Sequence, residues 1–82
     1  MIPYDKNRVD ELVLALLHLT SFKNGELVRA WKSHDWDALD RLADKGFISD
    51  PKSKSKSVVL SEDGARKAEE LFAKFRGSTE VP

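Results

Sequence analysis

Two histidines, no cysteine, and fourteen Asp+Glu against fourteen Lys+Arg make up the reactive groups of this chain. The run His34-Asp35-Trp36-Asp37 sets an imidazole among carboxylates, as a metal site or a general base requires. Asp35 and Asp37 have a simpler use at the start of a helix, His18 lies in an apolar segment, and no spacing matches a zinc or calcium ligand set. No metal is expected. There is no glycine-rich phosphate loop, no nucleophile elbow and no carboxylate pair in an apolar setting, so neither an enzyme nor a cofactor is expected. Ser21, Ser33 and Ser61 read as turn and capping residues. No small-molecule substrate is evident.

Binding chemistry remains. Lys52, Lys54 and Lys56 alternate with serines, and three ammonium groups on one loop can lie along a phosphate backbone. Releasing about three counterions gives a log–log salt slope of about −3, the signature of weak, sequence-independent association with DNA. Arg41 and Lys45, one helical turn apart, are candidates to assist. Against them stand Asp35, Asp37, Asp40, Asp44 and Asp50, so His34 to Asp50 carries two cations and five carboxylates, a formal −3. Such a helix repels phosphates. A short lysine run also suits a merely solvated loop.

Protein contact is the alternative. Trp31, Trp36, Phe47, Phe72 and Phe75 are mostly expected in the core, since each ring removes about 150–250 Å² from water. Trp31 beside Arg29 and Lys32 is the candidate to stay exposed and anchor a partner. Leu14 and Leu19 fall off the main apolar stripe of their helix and suggest self-association through it.

These side chains need elements to hold them. Val9, Leu12, Val13, Leu16 and Leu17 recur at i, i+3, i+4, i+7 and i+8, which predicts a core helix capped by Asp5 or Asn7. Asn24-Gly25 is a turn dipeptide. Glu26 to Lys32 suits either a strand or a helical turn, and the strand is favoured. Ser33 or Asp35 caps a helix whose Trp36, Leu39, Leu42 and Ala43 share a face. Gly46 ends it, with Phe47 folding back onto Leu42 as in a Schellman cap. Phe47-Ile48-Ser49 and Ser57-Val58-Val59-Leu60 form a hairpin with a flexible tip between them. Ser61 caps a last helix that buries Ala65, Ala68, Leu71, Phe72 and Phe75, and Gly77 terminates it. Leu39, Leu42, Phe47, Val59, Leu71 and Phe72 are expected to meet in one interior.

With 82 residues, one domain is expected, ordered over about 5–77 with a flexible 78–82 tail. The longest apolar run, Leu12 to Leu17, is far shorter than the roughly 20 residues of a membrane span. A soluble, cytoplasmic protein is expected, consistent with the lack of cysteine. The formal net charge of zero provides no overall basic field.

The stretch Leu39-Asp40-Arg41-Leu42-Ala43-Asp44-Lys45-Gly46-Phe47-Ile48, followed by Ser57-Val58-Val59-Leu60-Ser61-Glu62-Asp63-Gly64, resembles the recognition helix and wing of the winged helix-turn-helix module. That resemblance implies an α+β fold of three main helices and a small antiparallel sheet, the wing hairpin plus a third strand, with a role in DNA binding. Only about fifteen residues separate Leu19 from Asp35, little room for the usual second helix. Arg29-Ala30-Trp31-Lys32, Asp35 to Leu42 and Pro51 to Leu60 resemble a bacterial family of small stand-alone proteins of uncharacterised function.

Overall fold

A computed structural model of the chain describes residues 3–77, so the tail expected at 78–82 lies outside the described residues. Helix α1 spans Lys6–Leu19 and starts at Asp5, whose Oδ1 accepts the N–H groups of Asn7 (2.9 Å) and Arg8 (3.3 Å). Its buried face is Asp10, Val13, Leu14 and Leu17, with Ala15 beside it. That corrects the expected stripe, because Leu12 and Leu16 are exposed and Leu14 is only 1% exposed. Six apolar residues in succession leave periodicity unable to choose a face; packing against α2 and α3 chooses it, and turns Asp10 inward.

Strands β1 (Phe22–Asn24) and β2 (Leu27–Trp31) pair antiparallel with Phe22 opposite Arg29 and Asn24 opposite Leu27. The two-residue loop between them puts Gly25 at φ 66°, the left-handed value that the first central residue of a II′ turn needs. The strand favoured for Glu26 to Lys32 is found, over Leu27–Trp31. Helix α2 (Trp36–Asp44) is capped by Asp35, whose Oδ2 accepts the Ala38 N–H at 3.1 Å. It buries Ala38, Leu39 and Leu42, while Trp36, expected on the same face, is 55% exposed in the first turn. Its end is a Schellman cap: Phe47 N–H reaches Leu42 O, Gly46 N–H reaches Ala43 O, and Gly46 sits at φ 78°.

The expected wing is altered. Strand β3 (Ser57–Leu60) pairs antiparallel with β2, Trp31 opposite Ser57 and Val28 opposite Leu60, giving the sheet order β1-β2-β3. Phe47–Ser49 is reduced to one bridge, Ile48 to Leu60. Asp50 and Pro51 turn the chain away, because Pro51 has no N–H to offer a ladder and the Asp50 carboxylate accepts the Lys52 N–H at 2.9 Å instead. Helix α3 (Glu62–Phe75) is capped by Ser61 Oγ on Gly64 N–H at 2.9 Å and lies along α1.

Three helices and a three-stranded antiparallel sheet make an α+β fold consistent with a winged-helix-like arrangement. Between α1 and α2 lies the β1–β2 hairpin and no second helix, so a helix-turn-helix is not formed among the described residues. The core joins Leu14, Leu17, Leu39, Leu42, Val58, Leu60 and Leu71, with Phe47 and Phe72 packed against it. Val59, expected inside, alternates onto the outward face of the sheet while Val58 and Leu60 point inward. Phe75, also expected inside, is 44% exposed.

Candidate nucleic-acid interface

Alternation along β2 sends Val28 and Ala30 into the core and leaves Leu27, Arg29 and Trp31 on the outward face. Arg29 reaches across to the start of β3 and the loop before it, where its Nε donates to Ser57 Oγ at 2.9 Å and its Nη2 to Ser55 Oγ at 3.1 Å. Just past the strand, Lys32 Nζ donates to Ser53 O at 2.7 Å, and the Lys32 N–H donates to Lys56 O at 3.1 Å. Pro51 is fully buried at the other end of the loop. The 50–56 segment expected as a flexible tip is thus tied to the end of β2. Its alternation has a physical meaning: Ser53, Ser55 and Ser57 serve as acceptors for Arg29 and Lys32, while the interleaved Lys52, Lys54 and Lys56 stay exposed.

Trp31 stays exposed beside this loop, 52% accessible, with its ring 5.2 Å from that of Phe22 on the neighbouring strand at an interplanar angle of 34°. The structure therefore brings Arg29, Trp31, Lys32 and the three loop lysines together. Sequence reading missed Phe22, since a three-residue strand carries almost no periodicity, and missed the serine acceptors, whose every-second-residue spacing beside two cations was the available signal.

Arg41 and Lys45 go elsewhere. Arg41 Nε donates to both carboxylate oxygens of Asp10 at 2.8 and 2.9 Å, its Nη2 lies 2.7 Å from Oδ1, and Lys45 Nζ lies 3.0 Å from Oδ2. Their assignment to phosphates is corrected on this ground: both cations are drawn to a carboxylate that is 1% exposed. Burial pushes the Asp10 carboxyl up, but the hydrogen bonds and charges of Arg41 and Lys45 outweigh it and hold the group below the ordinary carboxylate range. The hydrogen bond to Asp10 raises Arg41 in turn. Helix α2 is left with Asp37, Asp40 and Asp44, and a cleft of about 480 Å³ lined by Asp40, Asp44, Asp50 and Lys52 separates it from the basic loop.

Among the candidates for partner contact, Leu14 is withdrawn, since it is core. Leu19 is 59% exposed and lines up with exposed Leu12 and Leu16 at i, i+4 and i+7 on the free side of α1. Among the described residues no three His, Cys, Asp or Glu side chains gather as a metal site, and no helix is long and apolar enough to cross a membrane. His34 Nε2 is buried without a hydrogen-bond partner, and burial lowers the pKa of that ring.

The profile of a domain of unknown function, DUF6429, matches residues 5–78. The uncharacterised protein y4hR of Sinorhizobium fredii is 47% identical over 71 residues, which are 87% of this chain and 92% of that one. No solved structure matches the chain.

Proposed function

The chain belongs to the DUF6429 family, and from its own geometry we propose that it is a non-enzymatic binding module that holds nucleic acid through the basic loop 50–56. The observation that carries this reading is the anchoring of the loop by Arg29 and Lys32, which displays Lys52, Lys54 and Lys56 without fixing their ammonium groups. Preordering the loop lowers the entropy lost when phosphates are gripped. Helix α2, with its cations held by Asp10 and its carboxylates outward, does not enter a groove; the loop alone lies on the backbone. Binding is then weak, salt-sensitive and indifferent to sequence. A fluorescence-anisotropy titration of a labelled duplex at low salt tests it. The triple variant Lys52→Glu, Lys54→Glu and Lys56→Glu is expected to abolish binding, and unchanged affinity would remove the proposal.

The exposed Leu12, Leu16 and Leu19 favour a second reading, in which a second copy of the chain packs on α1. Sedimentation at micromolar concentration would then show a dimer that Leu16→Glu converts to monomer, and a wild-type monomer would dismiss it.

A further inference from the structure

An antiparallel sheet covered by helices on one side ordinarily shows a polar second side. Here that side carries Trp31 at 52% exposure, Leu27 at 48%, and half-buried Phe22 and Val59. An aromatic pair so placed contributes little to the core, and its cations are arranged around it: Arg29 shares the face, and the lysine loop closes one end. Flat rings beside positive charge are complementary to one chemistry above others, an unpaired base with its phosphate. Each base offers a π-face to Trp31 while the backbone runs toward the loop lysines. A duplex offers no such face, because its bases are already stacked on one another.

Resting on the nucleic-acid reading above, we infer that the outward face of the sheet is a stacking platform for unpaired bases and that the preferred ligand is a single-stranded polynucleotide. Trp31 supplies the stacking ring, Phe22 holds that ring against the sheet, and Lys52, Lys54 and Lys56 meet the phosphates. The exposed Leu27 extends the apolar surface toward the β1–β2 turn.

The test titrates the full chain carrying Trp36→Phe, so that Trp31 is the one tryptophan reporting, with oligothymidylate, with oligouridylate and with a duplex of matched length. Trp31 fluorescence is expected to be quenched by the single strands and not by the duplex. Base–aromatic stacking is worth about 1–3 kcal/mol, so Trp31→Ala should weaken single-strand binding about fivefold or more and leave duplex binding unchanged. Trp31→Phe, which keeps a ring on the strand, should recover most of the loss. The oligouridylate arm separates RNA from DNA as the source of the strand. Equal loss on single strand and duplex, or no loss on either, overturns the platform while the lysine variants still decide the parent reading. A Trp31-dependent dimer that binds no single strand overturns it as well, assigning the face to a second copy.

Discussion

An aspartate set in the apolar face of a helix is costly unless its charge is met inside the protein. Asp10 is met three times over, by two guanidinium nitrogens and one ammonium group arriving from α2 one helical turn apart. Asp10→Asn removes the charge and leaves both cations facing a neutral amide. Breaking a fully buried pair costs about 3–5 kcal/mol, and the partial exposure of Arg41 and Lys45 brings the expected loss to about 2 kcal/mol in urea unfolding. Replacing Asp10, Arg41 and Lys45 together with leucine or methionine should restore most of it, since no lone charge is left behind. The acid limb of the stability curve is expected to fall in two stages of the same sign. Burial lowers the native pKa of His34, so as pH falls below the free-imidazole value of about 6.5 the unfolded chain takes up a proton that the folded chain refuses, and stability drops. The native pKa of Asp10 is also depressed; its stabilisation is full above the ordinary carboxylate value of about 3.9 and is lost as pH falls through the lower native value. His34→Gln should flatten the first stage in pH-dependent thermal melts and leave the second in place.

The joint between α2 and α3 shows how elements constrain one residue. Ser61 N–H donates to Phe47 O at 3.0 Å and Ser61 Oγ to Gly46 O at 2.7 Å, which draws the first turn of α3 onto the end of α2. Gly64 is where the helix touches, and a Cβ there would overlap the Phe47 carbonyl. Glycine to alanine in a helix normally stabilises by up to about 1 kcal/mol. At Gly64 the sign reverses, and chemical denaturation of Gly64→Ala should show a loss of about 2 kcal/mol, in the range of core overpacking. Ser61→Ala, which removes the cap and the Gly46 contact, should lose about 1–2 kcal/mol. These joints were legible because they rest on local chemistry: Ser61 as a cap, Asp5 and Asp35 each as one of two neighbouring cap candidates, Gly46 in the left-handed region and Asn24-Gly25 as a turn are each specified within four residues. The faces of α1 and α2 were not legible in the same way. Leu12 and Leu14 are equally apolar, and only the packing of α1 against α2 and α3, which also brings Arg41 and Lys45 to Asp10, decides which of them is core. The candidate interface shows the same division. Trp31, Arg29, Lys32 and the loop lysines were readable as chemistry, whereas the bonds that tie Arg29 and Lys32 to Ser53, Ser55 and Ser57 join residues more than twenty positions apart.

At the scale of the whole molecule the zero net charge conceals a separation that matters for association. Positive charge gathers where β2 meets the 50–56 loop, and α2 presents carboxylates whose cationic neighbours are already held by Asp10. The two regions adjoin at the cleft shared by Asp40, Asp44, Asp50 and Lys52. A polyanion lying on the loop therefore gains from three lysines and is repelled from one side, and affinity is the difference of the two. The repulsion acts through solvent, where the Debye length is about 30 Å at 0.01 M salt and about 8 Å at 0.15 M, so it weakens as salt rises. Asp40→Asn with Asp44→Asn removes that repulsion and leaves the loop contacts untouched. Measured by anisotropy on a nucleic-acid probe, the double variant should bind several-fold more tightly than wild type at low salt. The two affinities should converge near physiological ionic strength, because the variant follows the log–log slope of about −3 set by the lysines alone, whereas the wild-type slope is shallower, its repulsion being screened as salt rises. An unchanged affinity at low salt would mean that the bound polyanion passes on the far side of the loop, over the sheet and away from α2.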